Sequence, residues 1–210
     1  MPSADITANS SDFCSTLHAS TGVDARSDLR RNRLVARAAL DPLAHAERSQ
    51  ALCRHLWQWF AERQPASFGF CAPFRGECDL WPLAQQLVAA GWQGCMPVAE
   101  TVAAPMVFRA WLPQAAMTRD RHGIAVPDTE TVAAPEFLLL PVVAVDTRGY
   151  RLGYGGGYFD RTLAALQMKG KTPVCIGIGF ELCRVADIQP QPHDQPLQWL
   201  ATENGLQAIT

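Results

Sequence analysis

The sequence lacks several features that would assign it to a special class of protein. Its formal net charge is -2, so it has no excess of basic side chains for a polyphosphate backbone, and nucleic acid is not an expected partner. Its longest apolar run, Phe137 to Val145, is far shorter than the roughly 20 residues that cross a bilayer. We therefore expect a soluble chain that does not enter a membrane.

Disulfide, zinc and export patterns are missing as well. The seven cysteines occur singly, with no Cys-x-x-Cys pair. The first two dozen residues have neither the basic start nor the apolar centre of a secretory signal, and Asp5, Asp12 and Asp24 argue against a transit peptide. These absences predict a cytoplasmic protein with reduced thiols and a disordered polar tail over residues 1–25.

Helix and strand patterns alternate along the rest of the chain. Apolar residues recur at helical spacing over residues 26–40, 42–62, 80–88 and 160–168. Apolar or alternating segments predict strands over residues 67–70, 94–98, 106–111, 137–145 and 174–178, and residues 122–135 are predicted to be mostly loop. The pattern predicts a single domain over residues 26–210, a three-layer α/β/α sandwich with a mostly parallel central sheet. We expect it to be a monomer.

A glycine-rich segment joins the apolar 137–145 stretch to the last predicted helix. Its sequence is Asp146-Thr-Arg-Gly-Tyr-Arg151-Leu-Gly153-Tyr-Gly155-Gly156-Gly157-Tyr158-Phe-Asp160-Arg161. Glycines leave the backbone unobstructed, so N–H groups can converge on phosphate oxygens near the positive end of the following helix. Neither a P-loop nor a dinucleotide fingerprint applies, because no Gly-Lys-Ser/Thr follows and Tyr158 replaces the last glycine.

Charged residues flank these glycines. Arg151 and Arg161 supply permanent positive charge and paired donors for phosphate, and Asp146 and Asp160 have the carboxylates that could hold magnesium beside it. The set is typical of a nucleoside triphosphate site. A flexible glycine turn with solvated charges would have the same composition, and the segment alone leaves that alternative open.

The segment from Arg151 to Arg161, preceded by an apolar strand that ends in Asp146, resembles the signature of the 5-formyltetrahydrofolate cyclo-ligase family. The resemblance extends from about Arg26 to Thr202. In the first helix Arg26, Leu29 and Arg30 match family positions, although Arg26 replaces a lysine. Further matching segments are Phe74-Arg-Gly-Glu77, Met96-Pro97, Phe108 to Trp111, His122-Gly-Ile-x-x-Pro127 and His193-Asp194.

The resemblance implies a role for each matching residue. The implied ATP-binding residues are Arg26, Arg30, Arg151, Gly153, Tyr154, Gly155, Gly156, Gly157, Tyr158 and Asp160. The implied folate-binding residues are Glu77, Met96, Trp111 and Tyr158, and Glu77 would accept a hydrogen bond from the pterin or from N10. Asp160 and Asp146 would hold Mg²⁺, and Arg151, Tyr158 and Glu77 would carry the chemistry. The histidines and Asp194 are expected to shape turns.

The resemblance also implies a reaction, the ATP- and Mg²⁺-dependent cyclisation of 5-formyltetrahydrofolate to 5,10-methenyltetrahydrofolate with release of ADP and phosphate. Its substrates are small molecules. Two alternatives stay open: a paralogue that binds ATP or folate without turnover, which the arginine at position 26 keeps open, and a sugar-phosphate isomerase-like enzyme on a related fold. If the chain is a cyclo-ligase, Arg151→Ala is expected to raise the ATP requirement and leave the fold intact.

Overall fold

A computed structural model describes residues 22–209 of the protein, and its elements follow the alternation that the sequence predicts. Most of the predicted N-terminal tail, residues 1–21, lies outside the described residues. Residues 22–25, which were assigned to that tail, instead form the start of the first helix. The first helix therefore begins about one turn earlier than predicted, although only Ala25 among these four residues strongly favours a helix.

Four α-helices and twelve strands are present in this part of the chain. The helices are α1 (Gly22–Ala38), α2 (Pro42–Ala61), α3 (Trp81–Ala89) and α4 (Tyr158–Met168). The strands are β1 (Ser67–Gly69), β2 (Gln93–Val98), β3 (Val107–Trp111), β4 (Met117–Arg119), β5 (Ala125–Pro127), β6 (Thr131–Val132), β7 (Phe137–Pro141), β8 (Ala144–Val145), β9 (Arg151–Leu152), β10 (Val174–Ile178), β11 (Trp199–Thr202) and β12 (Gly205–Ala208).

The central sheet has eight strands in the order β12-β11-β10-β7-β1-β2-β3-β6. Its five middle strands, from β11 to β2, are parallel to one another, whereas β12, β3 and β6 pair antiparallel. The chain adds β2 on one side of β1 and later returns to add β7 on the other side. Such a reversal of strand order opens a crevice at the carboxyl ends of the strands.

Helices cover both faces of the sheet. Alternate residues of β7 point to opposite sides: Leu139 packs with α2 and α3, whereas Leu138 and Leu140 pack with α4. Leu56 and Phe60 of α2 are fully buried on the first side. The fold is therefore a three-layer α/β/α sandwich with a mostly parallel central sheet, as the sequence predicts.

The prediction of one strand over residues 137–145 is wrong in one respect, because the structure divides this segment into two strands. β7 ends at Pro141, and Ala144 and Val145 pair antiparallel with Arg151 and Leu152 as a separate hairpin. Ala144 and Val145 are 0% and 1% exposed. The hairpin is as buried as the strand before it, so apolar composition could not mark the point where the strand ends.

The start of α2 allows a direct test of the fold. Asp41 caps the helix: its Oδ1 accepts from the N–H groups of Leu43 and Ala44, at 2.8 and 3.3 Å. Removing such a cap destabilises a protein by about 1 kcal/mol, so Asp41→Ala should lower the melting temperature by about 2–4 °C. Asp28→Ala is the control, since Asp28 lies within α1 and is 55% exposed. Equal melting temperatures for the two variants would contradict the capping role.

Candidate functional site

The loops that follow the parallel strands meet at one edge of the sheet. Residues 70–80 follow β1, residues 142–157 follow β7, and residues 179–198 follow β10. Helix α1 lies across them, and its Leu29 packs against Ala144, Leu152 and Ile188. The two segments that the sequence singles out, around Glu77 and around Gly155, therefore lie side by side under α1.

Four arginines of α1 attach that helix to the loops. They are spaced four, three and four residues apart, so they share one face of the helix. Arg26 donates to Asp194 at 2.7 Å, and Arg30 Nε to the Gly153 carbonyl at 2.8 Å. Arg33 donates to the Leu182 carbonyl at 3.0 Å, and Arg37 Nε to the Arg75 carbonyl at 3.2 Å. The sequence identified Arg26 and Arg30 only; the helical spacing was the signal that could have identified Arg33 and Arg37.

The glycine loop has the geometry of an anion cradle. Gly155 and Gly157 have φ angles of +94° and +62°, which side chains of L-residues rarely adopt. Gly157 caps α4, and because glycine has no side chain it leaves the N-terminal amides of that helix without a side-chain cap from the capping residue. A Cβ at Gly155 would lie 3.6 Å from the guanidinium carbon of Arg30. Bare backbone, a helix N-terminus and an arginine thus face the same space, which suits a phosphate group.

Arg30 is partly buried, and its charge is poorly compensated. Burial lowers its pKa, and the neighbouring charge of Arg26 lowers it further. Its hydrogen-bond partner among the described residues is a carbonyl oxygen rather than a carboxylate. An anion bound over the glycine loop would supply the missing negative charge.

Arg151 is not free in this structure. It is 6% exposed, and its Nη2 donates to Asp160 Oδ1 at 2.9 Å, while Nη1 donates to the Gln195 carbonyl. Asp160, in the first turn of α4, also accepts from the N–H of Gln195 at 3.4 Å. The structure therefore brings Arg151 and Asp160 together, as a pair that joins β9, α4 and the C-terminal segment.

Asp146 does not face a space where a metal ion could bind. Its side chain is 0% exposed, and Oδ2 accepts from Arg148 Nη2 at 2.8 Å. Oδ1 accepts from the N–H groups of Arg148 and Tyr150, at 3.0 and 3.1 Å. The carboxylate stabilises its own turn, so the predicted metal role of Asp146 is not supported. Among residues 22–209, no group of three or more His, Cys, Asp or Glu side chains is arranged to hold a metal ion.

Glu77 is the buried centre of a hydrogen-bond network. It is 7% exposed, and its Oε2 accepts from the Phe74 N–H at 3.1 Å. Its Oε1 accepts from the Tyr154 hydroxyl at 2.9 Å, and Arg37 Nη2 in turn donates to that hydroxyl. The network connects the Glu77 loop, the glycine loop and α1.

Burial raises the pKa of Glu77, and the hydrogen bond from Tyr154, the charge of Arg37 and the Phe74 N–H partly oppose this rise. A small cavity behind the carboxylate is lined by Leu139 and Pro141 of β7 and by Ile178 of β10. Glu77 thus lies at the carboxyl ends of two central strands, where an α/β sheet of this kind binds its ligand.

A groove of about 850 Å³ runs along α1 beside this network. Arg30, Arg37 and Arg75 line it, together with apolar side chains such as Leu34 and Leu40. A groove of this size admits a drug-sized ligand, and its lining suits one that combines an aromatic body with negative charge.

Two residues that the resemblance assigned to folate lie in the hydrophobic core instead. Met96 and Trp111 are 1% and 3% exposed. The Trp111 ring packs edge-on against Phe70 with 4.9 Å between ring centroids, and is tilted on Trp81 at 5.5 Å. Because β2 and β3 are covered by α3 on that face, these side chains serve packing in the described conformation.

Tyr158 is half-buried at the start of α4, but its contacts differ from those expected. Its ring contacts His122 edge-on at 5.1 Å, and the guanidinium of Arg161 lies 5.1 Å from its centroid. The tyrosine that contacts Glu77 is Tyr154, for which the resemblance implies a role in ATP binding alone.

The predicted His-Asp turn is bound to the start of α1. Asp194 accepts two hydrogen bonds from Arg26, at 2.7 and 3.3 Å, and Arg26 also donates to the Gln189 carbonyl at 2.8 Å. Burial acts to raise the pKa of Asp194, but the hydrogen bonds from Arg26 and from the Gln191 N–H outweigh it and lower the pKa. Arg26 therefore fastens the C-terminal segment over the site.

A family model described as the 5-formyltetrahydrofolate cyclo-ligase family matches residues 23–203 of the chain. Two curated relatives are named 5-formyltetrahydrofolate cyclo-ligase. The one from Haemophilus influenzae is 28% identical over 178 residues, covering 82% of this chain and 94% of the relative. The one from Escherichia coli strain K12 is 30% identical over 172 residues, covering 79% and 93%.

Solved structures agree with this match. The chain resembles the 5,10-methenyltetrahydrofolate synthetase of Aquifex aeolicus with a TM-score of 0.72 and 25% identity, over 88% of this chain and 92% of that one. For the synthetase of Mycoplasma pneumoniae the TM-score is 0.68 and the identity 20%, over 85% and 98%, a likeness of fold. In the described part of this chain, no helix is both long and apolar enough to span a membrane.

Proposed function

The chain belongs to the 5-formyltetrahydrofolate cyclo-ligase family and is an enzyme of that kind, and from this premise we propose that its reaction uses ATP with magnesium and releases ADP and phosphate. The observation that carries the proposal is the meeting of two loops at one sheet edge. One offers bare amides and Arg30 to an anion, and the other offers the buried carboxylate of Glu77. A reaction between a nucleotide and a folate requires two such sites in contact.

The nucleotide phosphates are proposed to lie over Gly153 to Gly157, where the α4 N-terminus and Arg30 favour negative charge. Asp160 has a side chain that is 22% exposed and is oriented by Arg151, so it is the carboxylate that would hold Mg²⁺ with the phosphates. When bound there, the ion would neutralise charge on the transferring phosphoryl group. Arg26, Asp146, Met96 and Trp111 are not part of this proposal, because their contacts are structural.

The folate is proposed to lie in the groove along α1, with its reacting nitrogens at Glu77. Transfer of the γ-phosphoryl group to the formyl oxygen makes that oxygen a leaving group. N10 then attacks the formyl carbon and loses its proton, the bond between that carbon and the phosphorylated oxygen breaks, and phosphate departs with the oxygen as the ring closes. Positioning and charge stabilisation are the main tasks of the protein in such a transfer, and the site offers donors and a carboxylate for both.

The test is to mix the purified protein with 5-formyltetrahydrofolate and Mg-ATP and to measure methenyl product and ADP together. Product should form only with ATP and a divalent cation, in equal amounts with ADP. Binding of either ligand without product would favour a paralogue without turnover, and turnover of sugar phosphates would favour the isomerase-like alternative.

A glycine variant tests the site as well as the reaction. Gly155→Ala should raise the KM for ATP at least tenfold, because a methyl group would be forced into a positive φ conformation and into the space under Arg30. Gly170→Ala is the matched control, since Gly170 also has a positive φ, +69°, but nothing lies within 4 Å of its Cβ position. Equal KM values for the two variants would contradict the phosphate cradle.

A further inference from the structure

Arg37 is a buried cation for which neither the sequence nor the resemblance suggests a role. It is 6% exposed, and within the part of the chain that the structure describes it forms no ion pair. Its guanidinium donates to the Arg75 carbonyl at 3.2 Å and to the Tyr154 hydroxyl. Burying an arginine without a carboxylate directly bonded to it is unfavourable, so the contacts that Arg37 makes must compensate for this cost.

The chemistry of the guanidinium fixes the direction of the hydrogen bonds around it. An arginine only donates, so the Tyr154 oxygen must accept from Arg37 and is left with one proton of its own. Two acceptors lie within reach of that proton: Glu77 Oε1 at 2.9 Å and the Phe74 carbonyl at 3.2 Å. The shorter bond goes to the carboxylate, which is the better acceptor. Arg37 thereby turns Tyr154 into a donor aimed at Glu77.

The hydrogen bond from Tyr154, followed by the charge of Arg37, most strongly opposes the effect of burial on the pKa of Glu77. The carboxylate's own loop also contains Arg75, which is exposed, and the thiols of Cys71 and Cys78. Burial raises the pKa of Cys71, and a hydrogen bond to the Cys53 thiol raises the pKa of Cys78. From α2, His45 faces the loop, and its Nε2 is hydrogen-bonded to the carbonyls of Gly76 and Glu77. Burial raises the pKa of Glu77; Tyr154, by its hydrogen bond, and Arg37, by its charge, lower it.

We propose that Arg37 is a positioning residue for the reaction: acting through Tyr154, it holds Glu77 ionised and oriented as an acceptor for the folate, and it ties that carboxylate to the glycine loop. The inference rests on the proposed function. It deepens that function by assigning the ionisation and placement of the Glu77 carboxylate to Arg37, which lines the groove along α1 and reaches Glu77 through the Tyr154 hydroxyl.

The test compares Arg37→Gln, Arg37→Lys and a matched control, Arg33→Gln. Arg33 lies one turn earlier on the same face and donates to the Leu182 carbonyl. The measurement is kcat/KM for 5-formyltetrahydrofolate against pH. Arg37→Gln removes the charge that lowers the Glu77 pKa, so the acidic limb of the profile should move to higher pH and the value at pH 7 should fall roughly tenfold. Arg37→Lys should partly restore the position of the acidic limb and the value of kcat/KM at pH 7, and Arg33→Gln should keep the wild-type profile.

Two further variants keep the inference open to refutation if Arg37→Gln folds poorly. Tyr154→Phe removes the hydroxyl that connects Arg37 to Glu77 and leaves Arg37 in place. It should move the acidic limb of the pH profile in the same direction as Arg37→Gln. Combining Arg37→Gln with Glu77→Gln should lower activity no more than Glu77→Gln alone, because both act through one carboxylate. An unshifted limb in Tyr154→Phe, or fully additive losses, would overturn the inference. Absence of product with wild-type protein would instead refute the proposed function.

Discussion

Arg151→Ala is expected to lower both the stability of the protein and its use of ATP. From the sequence alone the fold was expected to survive this change, because Arg151 was interpreted as a phosphate ligand on an open loop. The structure shows a buried side chain that pairs with Asp160 at 2.9 Å. Breaking a buried pair destabilises a protein by several kcal/mol, because it leaves one charge without its partner.

The expected magnitude follows from the exposure of the two partners. The Arg151 side chain is 5% exposed and that of Asp160 22%, so water can partly solvate the carboxylate that remains. We therefore expect a loss near the low end for buried pairs, about 3 kcal/mol, or a melting temperature lowered by roughly 6–12 °C. The KM for ATP should rise at least tenfold, since Asp160 loses the group that orients it beside the phosphates.

The control for this experiment is Arg184→Ala. Arg184 pairs with Glu181 at 2.7 Å, but both side chains are more than a third exposed, and such a pair contributes little. In a second comparison, Asp160→Asn combined with Arg151→Ala should be less destabilising than the sum of the single changes. A stable Arg151→Ala protein with a raised KM would restore the sequence-based interpretation. Loss of stability with an unchanged KM would reduce Arg151 to a structural residue.

Local sequence patterns predicted the parts of this protein that local forces decide. The α2 start follows from Asp41 and Pro42, and the strand over residues 174–178 follows from its alternation. The glycine loop could be placed between a buried strand and a helix because its composition departs so strongly from both neighbours. Each of these features depends on residues within a few positions of one another.

Partners that are distant in the chain could not be predicted in the same way. Tyr154 contacts Glu77 across 77 positions, and Arg26 contacts Asp194 across 168. Nothing in the local pattern distinguishes an arginine that faces phosphate from one that holds a distant turn. Trp111 illustrates the same limit for aromatic residues, because ring and strand position suit a stacking surface and a core equally well. The β11-β12 hairpin was missed for a related reason: its strands are short and follow a proline-rich segment.

Glu77→Gln is expected to separate activity from stability. The substitution keeps the size of the side chain but removes the charge, and its amide has one acceptor oxygen where the carboxylate has two. If the folate donates a hydrogen bond to an ionised Glu77, kcat/KM for 5-formyltetrahydrofolate should fall roughly 10- to 150-fold. This corresponds to a loss of about 1.5–3 kcal/mol of transition-state stabilisation. The binding constant for ATP should change little, because Glu77 contacts the glycine loop only through Tyr154.

Glu77→Gln should not lower the stability of the folded protein at high pH, although it lowers activity. Burial raises the pKa of Glu77 in the folded protein above its value in the unfolded chain, so the folded state binds its proton more tightly. Stability that this group contributes is present below the unfolded pKa and declines as pH rises through the folded pKa. Glu77→Gln removes that decline. Its melting temperature at pH 8 should therefore equal or exceed that of the wild type, and the difference should shrink as the pH is lowered toward 4.

Asp79→Asn is the matched control, since Asp79 lies on the same loop and caps the Trp81 N–H at 3.0 Å without reaching Glu77's partners. It should lower stability slightly and leave kcat/KM near wild type. The measurements are the melting temperatures of both variants from pH 4 to 8 and their kinetics with 5-formyltetrahydrofolate. A Glu77→Gln protein that keeps full activity would exclude this carboxylate from folate binding, and one that melts well below wild type at pH 8 would show that the ionised network stabilises the fold. Either outcome would separate the raised pKa of Glu77 from a role in folate binding, because buried structural networks shift pKa values as active sites do.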